Sequence, residues 1–200
     1  EAPAPPQGSS RLYLSRRRFS RRYFERVVAN EVDMEAAFRA RGFKVVYPET
    51  LRMEDQVALY AHAEVTAGIS GSGLHNSLFM RPDALVIELG DPRYDGAPAP
   101  TQALCNRISG VRPAFIPFTG RRFGRRGTML FDIAFLRERL DAVLQGKDPF
   151  GGKDGGPSDA GRSAGPLARI GRLLEVCYLC VRPWAGALAL QALGRLRGSG

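Results

Sequence analysis

Between Glu64 and Glu88 the chain reads EVTAGISGSGLHNSLFMRPDALVIE, and the residue types in its middle are those that hold phosphate. An apolar strand (Val65–Gly68) runs into a bend, Ser70–Gly73, and the bend into a short helix predicted over Leu74–Met80. A turn at Arg81-Pro82-Asp83 then leads to a second apolar strand, Ala84–Leu89. Gly68, Gly71 and Gly73 allow backbone conformations and close approaches that a Cβ would block. A glycine bend at a helix start turns several N–H groups outward, which suits a phosphate, and Ser70 and Ser72 add hydroxyls. The same pattern also serves as a bare strand-to-helix connection, and the local sequence does not choose between the two. The order G-x-x-G-x-G differs from the dinucleotide-binding G-x-G-x-x-G, and no Gly-Lys-Ser/Thr follows.

The cationic partners for an anion are also present. Arg16 and Arg17 follow the short strand Arg11–Ser15, with Arg18, Arg21, Arg22 and Arg26 close behind, and Arg121, Arg122, Arg125 and Arg126 form a second cluster. A strand ending in SRRR sets guanidinium forks at the ligand-binding edge of an α/β sheet, where each fork can hold two phosphate oxygens. The formal charge of +9 suits nucleotides, nucleic acid or an anionic membrane face, or else a solvated arginine-rich surface. Glu88, near the end of its strand, is placed either to accept bonds from ribose hydroxyls or to stand as an exposed charge.

The elements that must position these groups follow a βαβ rhythm. Asn30 is read as an N-cap and Glu31 as a first-turn acid of a helix in which Val32, Ala36, Ala37 and Phe38 keep helical spacing up to Gly42. Phe43–Tyr47 is a second strand; Met53–Ala63 is a helix with Val57, Leu59, Tyr60 and Ala63 inward and Gln56 in its first turn. Ala114–Phe118 is a fifth strand and Phe131–Leu144 a closing helix. Asp91–Gln102 is too rich in Pro, Gly and Asp for regular structure and is expected to be a mobile loop over the crevice. The fold class is α/β: a parallel sheet with helices on both faces.

At 200 residues, 44% hydrophobic and 24% charged, the chain has the composition of a globular domain plus a tail. Glu1–Ser10 reads as a linker, 11–145 as the α/β domain, Gly146–Gly165 as a flexible connection, and 167–200 as an apolar, amphipathic helical tail. The tail suits packing on another part of the protein or a peripheral membrane contact; Glu175, Arg182 and Pro183 argue against a span. The start without Met and its Pro-rich opening predict that this is the later part of a longer protein. Cys105, Cys177 and Cys180 give no disulfide framework, and with only His62 and His75 no metal site is expected.

Taken in order, Ser15–Arg17, Asn30-Glu31, Gly42-Phe43, Pro48-Glu49, Glu54-Gln56, the glycine bend with Asn76, and Glu88-Leu89 resemble the C-terminal half of glycosyltransferase family 61. The bend S-G-S-G-L-H-N is similar to that of its bacterial variants. The resemblance implies a Rossmann-like domain, one half of a GT-B fold, binding a nucleotide-sugar donor. It further implies an inverting, metal-independent transfer to a glycan acceptor in surface or capsular polysaccharide synthesis, on the cytoplasmic side, at the inner face of the membrane. Arg16, with Arg17 or Arg21, would neutralise the diphosphate; Ser70, Gly71, Ser72, Gly73 and the Leu74 helix start would bind phosphate; Asn76 would belong to the donor site; Glu88 would take the ribose; Asn30, Glu31 and Gln56 would brace the crevice. Arg16 and His75 are the catalytic candidates, and the general base is expected from an N-terminal domain outside this chain. No cofactor beyond the donor substrate is implied. A basic nucleic-acid-binding module, or a degenerate transferase kept as a partner subunit, is the alternative; the clusters lack a stacking platform of aromatics, which argues against nucleic acid.

Overall fold

Alternation along the strands sorts their side chains onto two faces of one sheet. In β1 (Arg11–Leu14), Leu12 and Leu14 enter one apolar core and Tyr13 the other. In β3 (Val65–Ile69) and β4 (Leu85–Leu89), Ala67, Ile69, Ile87 and Leu89 share the face of Tyr13, while Val86 joins Leu12 and Leu14. With β2 (Lys44–Val46) and β5 (Arg112–Ile116), these form a parallel five-stranded sheet in the order β2-β1-β3-β4-β5. The computed structural model describes residues 11–18, 27–94, 96–124 and 127–147. The chain divides into units Glu1–Ser158 and Asp159–Gly200, and every described residue lies in the first. Arg21, Arg22, Arg26, Arg125, Arg126, the opening stretch to Ser10, the connection from Asp148 onward and the tail 167–200 fall outside the described residues.

Crossover handedness dictates where the helices go. The chain leaves β1 toward β2, then travels back past β1 to β3, β4 and β5, and right-handed connections must then lie on opposite faces for the two directions. Accordingly α1 (Glu31–Arg39) covers one face, where Met34 and Phe38 pack against Tyr13; α5 (Ile133–Leu144) joins it through Leu136, Leu140 and Val143. The other face carries α2 (Met53–Ala61), the single turn α3 (Ser72–His75) and the 3₁₀ turn Asn76–Phe79, with Tyr60, Leu74 and Met80 inward. This is the Rossmann-like α/β class.

Several elements depart from expectation. The helix predicted over Leu74–Met80 is divided into α3 and the 3₁₀ turn. The stretch expected as an irregular loop to Gln102 includes a 3₁₀ turn, Pro92–Tyr94, and the start of α4 (Pro100–Ser109). Pro100 has no N–H to leave unpaired at a helix start, so its presence favours that boundary. Inside α4, Gln102 Nε2 donates to Ser77 Oγ and Asn106 Oδ1, buried bonds that tie the helix down. Val32 and Ala36 face solvent; the buried side of α1 is Glu31, Met34, Glu35, Ala37 and Phe38.

A two-stranded antiparallel hairpin, β6 (Gly120–Phe123) with β7 (Thr128–Phe131), was not foreseen. It takes Phe131 out of the closing helix, which starts at Ile133 after Asp132 accepts from Phe135 N–H at 3.1 Å. Gly120 has φ +149, and a Cβ there would stand 2.0 Å from Leu130 O, so the strands close up only around a glycine. The hairpin also overturns the reading of Asn30 as a cap. Its amide donates to Phe131 O at 2.9 Å and accepts from Phe131 N–H at 3.0 Å, copying a strand neighbour across 101 positions of chain. Capping needs only the side-chain oxygen, which Asp supplies as well as Asn; the clasp also needs the N–H₂. Asn30→Asp is therefore expected to cost about 1 kcal/mol in urea denaturation, where a cap would lose nothing.

Candidate functional site

In an open parallel sheet, ligands bind beyond the carboxyl ends of the strands, at the point where neighbouring crossovers leave in opposite directions. Here that point lies between β1 and β3, whose ends are level: Leu14 pairs with Gly68. Ser15–Arg18 and Ser70–Gly73 thus leave side by side from adjacent strands at one edge. Two stretches singled out for phosphate chemistry, more than fifty positions apart, are brought together by the strand order.

The arginine segment is held by buried acids of α1. Glu35 has no exposed side-chain surface, and its Oε1 accepts from Ser15 Oγ at 2.8 Å and Tyr47 Oη at 2.9 Å. Arg39 reaches Oε2 at 2.9 Å, and Arg17 Nε lies 3.5 Å from Oε1 with its side chain half exposed. One turn earlier, Glu31 Oε1 accepts from Tyr13 Oη at 2.8 Å and from the Arg16 N–H at 3.2 Å. Arg18 lies over the Tyr47 ring at 4.4 Å. Glu35 escaped the sequence reading. The legible signal was Glu31, Met34, Glu35 and Phe38 at helical spacing, a face that holds two acids among its apolar residues.

Electrostatics separates the two acids. Burial raises the Glu31 carboxyl above its usual range, against bonds from Tyr13, Arg16 N–H and Ser15 that lower it. Burial also opposes the charge on Glu35, yet donors from Ser15, Tyr47 and Arg39, with Arg17 nearby, hold it below the usual range. Burial pushes the Tyr13 hydroxyl well up, which keeps it a donor.

At the glycine bend, Gly71 has φ 155 and ψ 175, a conformation open to glycine alone. Leu74 N–H bonds back to Gly71 O, while the Gly71, Ser72 and Gly73 amides find no backbone acceptor among the described residues. Gly73 differs from Gly71: its φ is ordinary, and a Cβ would meet only Pro48 at 3.9 Å. Behind the bend, Tyr60 Oη donates to Gly73 O at 2.7 Å. Asn76 Nδ2 donates to Gln56 Oε1 at 2.8 Å, and Gln56 Nε2 donates to the Pro48 and Leu51 carbonyls. Asn76 and Gln56 are thus brackets between α2 and the bend. His75 ends α3, partly buried.

Ser70 and Glu88 change character. Both are buried, with Ser70 Oγ donating to Glu88 Oε1 at 2.5 Å and Ala99 N–H donating to the same oxygen at 2.9 Å. Glu88 is 2% exposed and Glu31 3%, so neither is the open carboxylate that a ribose or phosphate would meet; both act as internal acceptors. The reason is the pleat: Glu88 and Ser70 fall on the side of their strands that α3 and α4 cover. Of the candidates, Arg16, Arg17, Asn30, Gln56, Gly71, Ser72, Gly73, His75 and Asn76 keep some exposure. Among the described residues no three His, Cys, Asp or Glu side chains gather as a metal-ligand set, and no helix is long and apolar enough to cross a membrane.

The family model of Glycosyltransferase 61 matches residues 2–87. Over that segment the chain is similar to glycosyltransferase family 61. The family 61 match runs from β1 into the middle of β4 and so contains both halves of the edge just described, whereas Glu88, α4, β5, the hairpin and α5 lie beyond it. Comparisons with curated proteins and with solved structures return no match.

The two buried carboxylates titrate in opposite senses. Glu35 lies below its ordinary 4.5, so its contribution is present above pH 4.5 and is lost as pH falls through the folded value. Glu88 is raised above 4.5 by burial, despite Ser70 and Ala99, so its charged form weakens the fold at neutral pH and the penalty lifts as pH falls. In urea denaturation, Glu35→Gln should be less stable than the parent at pH 7, the gap closing below pH 4.5. Glu88→Gln, which keeps an acceptor, should match or exceed the parent at pH 7, with its advantage gone by pH 4.5.

Proposed function

We propose that this chain is the donor side of a family 61 glycosyltransferase, binding the diphosphate of a nucleotide-sugar over the β1/β3 edge. The observation that supports it most is the shared edge: Ser15–Arg17 and Gly71–Gly73 follow strands paired Leu14 to Gly68. Arg16 and Arg17 supply forked donors, Gly71, Ser72 and Gly73 supply amides, and Ser72 adds a hydroxyl. In transfer, the bond from the anomeric carbon to the diphosphate oxygen breaks as an acceptor hydroxyl oxygen bonds to that carbon. The leaving diphosphate gains charge, which Arg16 stabilises without needing a metal. The hydroxyl proton passes to a general base outside the residues described. Attack opposite to the leaving group inverts the anomeric centre. Glu31, Glu35, Gln56 and Asn76 hold the donors in place and touch no substrate. The products proposed are surface or capsular polysaccharides made from a glycan acceptor at the inner face of the membrane.

The test uses heat denaturation with UDP or GDP at millimolar concentration. Either nucleotide should raise the midpoint, by about 2.7 kcal/mol of stabilisation at a hundredfold excess over Kd. Arg16→Ala should remove the shift. Gly73→Ala is the sharper variant, because its Cβ has room: unliganded stability should hold or rise, while nucleotide protection falls if an anion must approach the Gly73 amide. No shift with either nucleotide overturns the donor reading.

A further inference from the structure

The β6–β7 hairpin has two unlike faces. Its register sets Arg121 opposite Leu130, Arg122 opposite Met129 and Phe123 opposite Thr128. Met129 and Phe131 turn into the core, where Phe131 meets Phe118 edge-on at 4.8 Å. The other face carries Arg121, Phe123 and Leu130; Phe123 is 50% exposed and Leu130 37%. Among the described residues, Val32, Met53 and Leu104 are the other exposed large apolar residues, one each on α1, α2 and α4. The hairpin thus exposes an aromatic and a leucine together, beside arginine. From Gly120 to Phe131 the sequence holds Arg121, Arg122, Arg125 and Arg126 and no Asp or Glu.

Its position in the fold is equally specific. β5 ends at the carboxyl edge of the sheet, and the hairpin follows three residues later. Ala29 N–H donates to Met129 O, and Met129 N–H to Val27 O, so β7 is stitched to the segment that enters α1 at that same edge. The hairpin therefore stands on the rim that holds Arg16 and the glycine bend.

We propose that the outer face of this hairpin, through Arg121, Phe123 and Leu130, docks the protein peripherally on an anionic lipid surface. Guanidinium groups meet lipid phosphates while Phe123 and Leu130 enter the boundary between headgroups and acyl chains, a pairing of basic and apolar side chains that suits an interface. A nucleic-acid backbone complements the arginines and leaves Leu130 without a partner, and one aromatic makes no stacking platform. Docked in this way, the carboxyl edge of the sheet lies beside the lipid. The assignment does not depend on the donor reading.

The full-length chain is sedimented with vesicles of phosphatidylcholine containing about one-third phosphatidylglycerol, and with phosphatidylcholine alone. Binding should require the anionic lipid and fall steeply with salt. Arg121→Gln should weaken it about fivefold, and the pair Phe123→Ser with Leu130→Ser on the order of tenfold, with the melting midpoint kept. Val32→Ser, an exposed apolar site on α1, should bind like the parent. The proposal is overturned by absence of binding, by equal binding to neutral vesicles, by full binding of the Phe123/Leu130 variant (which would locate the contact elsewhere in the chain), or by duplex DNA displacing the protein from vesicles through the same residues.

Discussion

The buried carboxylate of Glu35 is the constraint on which the edge of this sheet depends. An unpaired charge inside a protein is too costly to keep, so the fold must bring donors to it. Those donors come from three places: Ser15 and Arg17 after β1, Tyr47 after β2, and Arg39 one turn along α1. Meeting that demand fixes where the chain goes as it leaves β1. Glu31, one helical turn away, repeats the arrangement on the Arg16 amide and the Tyr13 hydroxyl. The arginine segment is thus oriented by anions buried beneath it, with Arg17 still half exposed.

A parallel solution holds the neighbouring strand end. Glu88 gathers the Ser70 hydroxyl and the Ala99 amide, linking the start of the glycine bend to the entrance of α4. From α2, Tyr60 bonds the bend at Gly73 O, and Gln56 accepts from Asn76 just beyond it. Polar side chains at this edge are therefore divided by depth. Buried carboxylates and amides set the backbone, while Arg16, Arg17 and the Gly71–Gly73 bend keep some exposure. A bound anion would meet donors already fixed in position, which lowers the ordering cost of binding.

Further parts lie beyond residue 87, where the family 61 match ends. The Asn30 clasp on Phe131 and the β7 contact with Val27–Ala29 fasten the hairpin to the entrance of α1. That junction ties the approach to α1 to residues a hundred positions later. The exposed side of the hairpin is free of this structural duty, which leaves Phe123 and Leu130 without an inward partner to explain them.

Residue types by themselves determined the α/β class, the five strands of the sheet, the glycine bend and the arginine segment, because alternating apolar runs, Gly and Pro act over a few neighbours. Sequence order and strand length sufficed for β3 and β4, whose apolar residues lie on both faces. Tertiary structure alone decided the depth of Glu31, Ser70 and Glu88, since a one-residue step along a pleat exchanges solvent for core and no local pattern records which helix covers that side. It also decided the role of Asn30, whose partner Phe131 lies far along the chain, and it revealed the hairpin, whose arginines hid its strand character. Glu35 shows the same division: its helical position was readable, but the four side chains that keep it charged meet only after three strand and helix ends have converged.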